Sequence, residues 1–152
     1  MFVKLQEIAQ FKQGKQVDIH NQYEKQDNNM VRFIRIVDYT NPDEKPRYII
    51  DPGKVFHIQK NDIVMIRYGS QTAGKVVRGK AGVIANNLFS IKFKDNINLD
   101  YMFYYLSSPK IKQLLTEEQS SSTMPAITFE LMKNLKIYLP NESIQNHIVD
   151  TI

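Results

Sequence analysis

Cysteine and tryptophan are both absent from this chain of 152 residues. Without cysteine there is no disulfide framework and no thiolate metal site. Long apolar runs are missing as well. No window approaches the ~18 consecutive apolar residues of a membrane span, and the start, MFVKLQEIAQ, lacks the apolar core of a signal peptide. A cytoplasmic location is the expectation. His20, His57 and His147 stand apart with no metal-ligating spacing. The carboxylates show no Asp followed by Glu-x-Lys, and Ser120 to Ser122 have no neighbouring histidine to activate a hydroxyl. Catalysis is not expected of this chain.

One further absence points somewhere. From Ile63 to Lys94 there is no acidic residue, although Arg67, Lys75, Arg78, Lys80, Lys92 and Lys94 all fall there. Those six leave fourteen of the 20 basic residues to face all 16 acidic ones, so the net charge of +4 hides a basic segment in a nearly neutral chain. Four of the six glycines lie in the same stretch. A local positive field with Gly, Ser, Thr and Asn between the cations suits a phosphate backbone. A solvated face is the alternative. Hydrophobic content of 42% against 24% charged marks the chain as a folded domain with a core, not a disordered tail.

Along the chain, residues 4–11 place Leu5, Ile8 and Phe11 at helical spacing and predict a short opening helix ended by Gly14. Residues 15–29 are polar and lack a clear period. Strands are expected at 31–39, 47–50, 55–58 and 62–68, with 83–93 returning as extended chain. Residues 99–108 predict a helix with Leu99, Met102, Phe103 and Leu106 on one face, and a second helix follows Ser108-Pro109. Thr128 caps a short helix, LKIYLP is a closing strand, and Asn141 caps a last helix bearing Ile144, Ile148 and Ile152. The tyrosines and phenylalanines of 101–105 sit at helical spacing and suit core packing better than base stacking.

Gly69-Ser-Gln-Thr-Ala-Gly74-Lys75 matches the phosphate-cradling G-x-x-x-x-G-K loop after a strand. Val76 stands where a magnesium-holding hydroxyl is required, and the continuation reads as strand instead of helix, which argues against a nucleotide-hydrolysing site. The same loop can still hold a nucleic-acid phosphate on its amides and Lys75. Asn41-Pro42 begins like the Asn-Pro-Pro-Tyr motif of adenine methyltransferases, but Asp43-Glu44 replaces the base-stacking half, so a turn is the better reading.

The order of segments is more specific than any one of them. NDIVMIRYGSQTAGK resembles a block with the pattern G-D-I-L-hydrophobic-R-x-G-x-x-G-K, with Asn61 where glycine is usual. The closing stretch places Leu131, Leu135, Ile137, Pro140, Gln145 and Ile148 in a second register. Nearly end to end, the chain resembles the target recognition domains in specificity subunits of type I restriction-modification enzymes. The resemblance implies a mixed α/β domain with a twisted mixed sheet and short flanking helices, over residues 1–140. Residues 141–152 would begin the helix that leads to a coiled coil. It further implies reading of one half of a bipartite duplex site, alongside a second recognition domain or half-subunit. Modification and restriction subunits would carry the chemistry, with S-adenosylmethionine, ATP and magnesium bound there. Related domains also occur fused to type IIG enzymes.

On that reading Arg67 and Lys75, with amides near Gly69 and Gly74, would hold phosphates, and Arg78 and Lys80 would add to the field. Ser70, Gln71 and Thr72 would read bases, because Gln can bond adenine and Arg can fork onto guanine. Arg35 and the pair Asn86-Asn87 would converge there if their strands are neighbours, or the two asparagines simply make a turn. Tyr39 and Tyr68 would contact DNA or anchor loops. Lys15, Gln16, Ser120, Ser121, Ser122 and Thr123 are secondary contacts on flanking loops. Ile144, Ile148 and Ile152 would face a partner helix. Two other classes compete: a module for single-stranded nucleic acid or RNA, and a protein-interaction module acting through the isoleucine face. If Gln71 reads a base, Gln71→Ala costs about 1–3 kcal/mol on the cognate duplex and little on random DNA, measured by equilibrium binding to both.

Overall fold

A computed structural model describes residues 1–117 and 126–152. The chain runs through β1 (Phe2–Lys4), β2 (Ala9–Gln13), β3 (Met30–Ile34), α1 (Val37–Thr40), β4 (Arg47–Ile50), β5 (His57–Ile58), β6 (Ile63–Ile66), β7 (Val76–Arg78), β8 (Gly82–Ile84) and β9 (Leu88–Phe93). There follow α2 (Leu99–Leu106), α3 (Pro109–Glu117), α4 (Phe129–Asn134), β10 (Lys136–Tyr138) and α5 (Glu142–Asp150). The mixed α/β class is the expected one, but the strands divide among three sheets. An antiparallel sheet has the order β2-β9-β6-β7, and a mixed sheet has the order β4-β3-β8-β5 with β3 and β8 parallel. The short pair β1-β10 brings the two ends of the chain together.

The layers follow from side-chain alternation. All four residues of β6 are buried. Ile63 and Met65 enter the core beneath the helices, with Phe89, Ile91, Met102, Leu106, Ile111 and Met132. Val64 and Ile66 enter a second core, where they meet Ile34, Ile58 and Ile84 of the mixed sheet. Strands covered on both faces are apolar throughout, which is why this segment reads so plainly as strand. The far side of the mixed sheet is closed by Phe33, Ile49, Val83 and Ala85, with Val17 and Phe56 packed on them.

Three expectations change. The opening helix is replaced by β1, a 3-10 turn over Leu5–Glu7, and β2. Leu5 and Ile8 are buried as their spacing required. From residue 9 onward, however, Ala9 and Phe11 face the core and Gln10 and Lys12 face solvent, a period of two that pairs β2 with β9. The strand at 31–39 stops at Ile34. There the Asp38 carboxylate accepts the Arg35 amide at 2.8 Å, and residues 37–40 wind into a helical turn. In α2 the buried face is carried by Tyr101, Met102 and Leu106, while Leu99 is 40% exposed. The Tyr101 hydroxyl donates to the Tyr138 carbonyl at 2.8 Å, so an aromatic with a polar tip ties this helix to β10.

The caps stand where expected. Thr128 accepts from the Leu131 amide and Asn141 from the Ile144 amide. Gln145, 1% exposed, donates to the Pro140 carbonyl at 2.8 Å and accepts from the Asn98 amide at 2.9 Å, which fastens α5 to the start of α2. Asn61, at the glycine position of the motif, has φ +72°, a left-handed conformation that asparagine tolerates better than most residues.

Gly14 has a role other than helix breaking. Its amide donates to the Leu88 carbonyl at 2.9 Å, and a β-carbon there would fall onto the Ala85 carbonyl. Gly14→Ala therefore forces β2 away from the β8–β9 turn and lowers stability by about 1–3 kcal/mol, read as a drop in thermal midpoint.

Candidate nucleic-acid interface

Several loops distant in sequence meet at one end of the two sheets. The β6–β7 hairpin tip, residues 67–75, is fixed by Gly74 donating to the Ile66 carbonyl at 2.8 Å and by the Thr72 hydroxyl donating to the Tyr68 carbonyl at 2.8 Å. Gly69 and Gly74 have φ of +115° and +89°, so the tight hairpin needs residues without a β-carbon there. The Arg67 amide donates to the Asn87 carbonyl at 2.9 Å, which places the β8–β9 turn beside the hairpin. Lys15 donates its amide to the Ile84 carbonyl, and the Gln13 Nε2 donates to the Asn86 carbonyl at 2.7 Å. The segment entering α4 joins through Ile127, whose amide donates to the Arg67 carbonyl at 2.8 Å. Because β3 and β8 are parallel, Arg35 also arrives at this end, next to Ala85.

Convergence of these segments does not leave every side chain free. Arg67 is half-buried. Its Nε donates to the Ile127 carbonyl at 2.9 Å, its Nη1 donates to the Gln13 Oε1, and its guanidinium lies 4.9 Å from the Phe129 ring centre. That geometry makes it a strut between β6, β2 and α4, with its Nε and Nη1 already holding internal partners. Arg35 is likewise committed, to Asp38 and Glu44 at 3.2 Å each and to the Lys45 carbonyl at 3.0 Å. Arg78 and Lys80 lie toward the opposite end of the hairpin, since Arg78 pairs with Ile63, roughly 10 Å of extended strand from the tip. Arg78 holds Asp100 at 2.6 Å and stacks 4.0 Å from the Phe103 ring centre. Lys80 sits 5.2 Å from the Tyr39 ring centre. Tyr39 anchors that end: its hydroxyl donates to the Arg78 carbonyl at 2.7 Å, and burial pushes its pKa up to about 12.

Asn86 and Asn87 make the β8–β9 turn, with Leu88 donating to the Ala85 carbonyl at 3.0 Å. Asn86 and Asn87 are half-buried, and the Asn87 Oδ1 is buried with no partner among the described residues. Ser70, Gln71 and Lys75 are exposed, and Tyr68 is 42% exposed at the hairpin base. The Gly74 amide, paired with Ile66, is not available to an anion. Ser120 to Thr123, including Ser122 and Thr123, lie outside the described residues. Lys75 runs directly into β7, so the helix required by a nucleotide-binding loop is replaced by a strand. Among the described residues no group of His, Asp and Glu is arranged to hold a metal, and no helix is long and apolar enough to cross a membrane.

Three residues missed in the sequence build this end: Gln13, Ile127 and Phe129. The signal for Gln13 was the two-residue alternation of 9–13. None marks Ile127, which acts through its backbone. Removing the strut in Arg67→Ala leaves the Ile127 carbonyl unpaired and costs about 1–3 kcal/mol, while Lys75→Ala at the exposed tip stays within about 0.5 kcal/mol. Paired denaturation curves test the contrast.

The comparisons with known proteins agree with this architecture. The family model described as the type I restriction modification DNA specificity domain matches residues 1–152. Among solved structures, the HsdS subunit from Thermoanaerobacter tengcongensis superposes with a TM-score of 0.72 at 21% identity, over 99% of this chain and 36% of that one. A structure described as showing complex assembly and conformational transition of the type I R-M system gives 0.76 at 20% identity, again over 99% and 36%. The type I S subunit from M. genitalium gives 0.68 at 15%, over 99% and 39%. The chain thus spans somewhat more than a third of each of these proteins. No protein of curated function matches. With the family model covering every residue and the fold shared with such subunits, the chain belongs to the type I restriction modification DNA specificity domain family.

Proposed function

We propose that this chain is a target recognition domain that binds double-stranded DNA sequence-specifically and reads one half of a bipartite site. The observation that carries the reading is the clustering, at one end of the sheets, of the hairpin tip and the flanking loops, with Gln71, Ser70 and Lys75 turned to solvent. Amides and hydroxyls of this kind suit the major-groove edges of bases, and the lysine suits phosphate. The commitment of Arg67, Arg35 and Arg78 to internal partners supports assigning base reading to Gln71 and its neighbours. The chain itself performs no chemistry. Adenine methylation and cleavage belong to modification and restriction subunits, which would hold S-adenosylmethionine, ATP and magnesium.

The domain assignment is residues 1–140 for recognition, with residues 141–152 belonging to a helix that leads toward a coiled coil. Ile144, Ile148 and Ile152 are 47%, 36% and 69% exposed, which supports contact with a partner helix from a second recognition domain or half-subunit. A preference for unpaired strands, or DNA-independent partner capture through this face, would favour the two competing readings.

Two measurements test the proposal. Lys75→Ala should reduce the slope of log affinity against log salt by about 0.9, equally for all duplexes; an unchanged slope removes Lys75 from the phosphates. The specificity subunit containing this domain, expressed with its modification subunit in a methylation-free host, should leave a bipartite N6-methyladenine motif. Changing residues 70–72 should alter one half of that motif, and an unaltered motif would exclude the hairpin tip from base reading.

A further inference from the structure

Cations of the chain divide by type. Each arginine is engaged internally: Arg32 and Arg35 with Asp38, Arg47 with Glu24, Arg78 with Asp100, and Arg67 with Gln13 and the Ile127 carbonyl. Lys12, Lys15 and Lys92 are different. Among the described residues none of the three is ion-paired. Yet the fold crowds them together from two separate parts of the sequence.

Strand alternation is the cause. Phe11 faces the helical core from β2, and Ile91 and Phe93 face it from β9, so Lys12 and Lys92 project from the other face. The register pairs Lys12 with Ser90 and Gln10 with Lys92, which makes the two lysines diagonal neighbours, roughly 7–8 Å apart at their bases. Lys15 completes the group from beyond Gly14. The Lys15 and Lys12 ammonium groups lie 4.6 and 5.7 Å from the centre of one ring, that of Phe56. An aromatic face attracts both cations but neutralises neither. Two unpaired positive charges held over one ring, with a third based on the adjoining strand, repel each other unless an anion opposes them. The cluster is also continuous with the interface, because Lys15 follows Gln13 and Gly14, which bond the Asn86 and Leu88 carbonyls.

We propose that Lys12 and Lys15, gathered over Phe56, and Lys92, diagonal to Lys12 on the neighbouring strand, form a phosphate track along the DNA that flanks the bases read by the hairpin tip. The inference rests on the duplex-binding reading above and adds a second, sequence-independent contact surface to it. Contacts of this type position a protein on the duplex and carry no base information. Lys12 and Lys92 make the cleaner test, since both are exposed and neither supplies a backbone contact to the β8–β9 turn.

The test is a salt titration of the full chain on two fluorescent duplexes of unrelated sequence, with Lys12→Ala/Lys92→Ala compared with Lys12→Arg/Lys92→Arg. Two lost phosphate contacts should reduce the magnitude of the log–log slope by roughly 1.8, about 0.9 each, on both duplexes. The arginine pair should keep the slope, and thermal midpoints should match the wild type. An unchanged slope in the alanine pair overturns the track but leaves the recognition reading intact, provided Gln71→Ala still weakens cognate binding selectively. A loss confined to one duplex would also overturn it, by making these lysines base readers. Wild-type protein that binds neither duplex in a salt-dependent way would remove the recognition reading and the track together.

Discussion

Strand β6 sends Ile63 and Met65 into one hydrophobic core and Val64 and Ile66 into another, and every other layer is placed by the need to cover those two faces. Helices close the first face, which β9 and β2 extend beside β6 in the same sheet, and the mixed sheet closes the second. A strand buried in this way cannot slip by one residue without exchanging the two sets of side chains, so its register is well specified. The hairpin that leaves β6 is therefore rigidly rooted. Its tip, with Gly69 and Gly74 in conformations closed to most residues, projects from a fixed base toward the β8–β9 turn. Loops on a stiff scaffold suit a task in which sequence preference varies while the framework stays constant.

Charge is arranged by the same framework. Arginine, with its planar fork and weak hydration, serves at half-buried crossings between elements, as in the Arg67 link from β6 to β2 and α4. Lysine stays outside. The field offered to a partner is thus a lysine field, carried by mobile ammonium groups that suit phosphates more than bidentate recognition of guanine. The basic segment of residues 63–94 is dispersed by folding: Lys75 goes to the tip, Arg78 and Lys80 to the far end of the hairpin, and Lys92 to the outer strand pair.

Much of the fold was legible in the sequence because it depended on neighbours in the chain. The caps at Thr128 and Asn141, the run of apolar residues in β6, proline at the start of α3 and the turn at Asn86-Asn87 all follow from residue type and short spacing. The opening segment misled because Leu5, Ile8 and Phe11 satisfy a helical period, while the alternation of Ala9 to Gln13 that makes it a strand needs β9 as its partner. The rotated face of α2 is a similar case, settled by the hydrogen bond of Tyr101 to a strand 37 residues away.

By itself the sequence determined the α/β class, the place of the central strand and of the four longer helices, the glycine hairpin and the ordered motifs that place the chain in its family, since each is written in local pattern. Only tertiary structure decided which charged groups are free. Arg78 meets Asp100 across 22 residues and Arg67 meets Gln13 across 54, so neither could be seen as occupied from local composition. Lys12 and Lys92 become neighbours only through strand pairing. Pairing energies depend on distance in space, and the sequence supplies distance only along the chain.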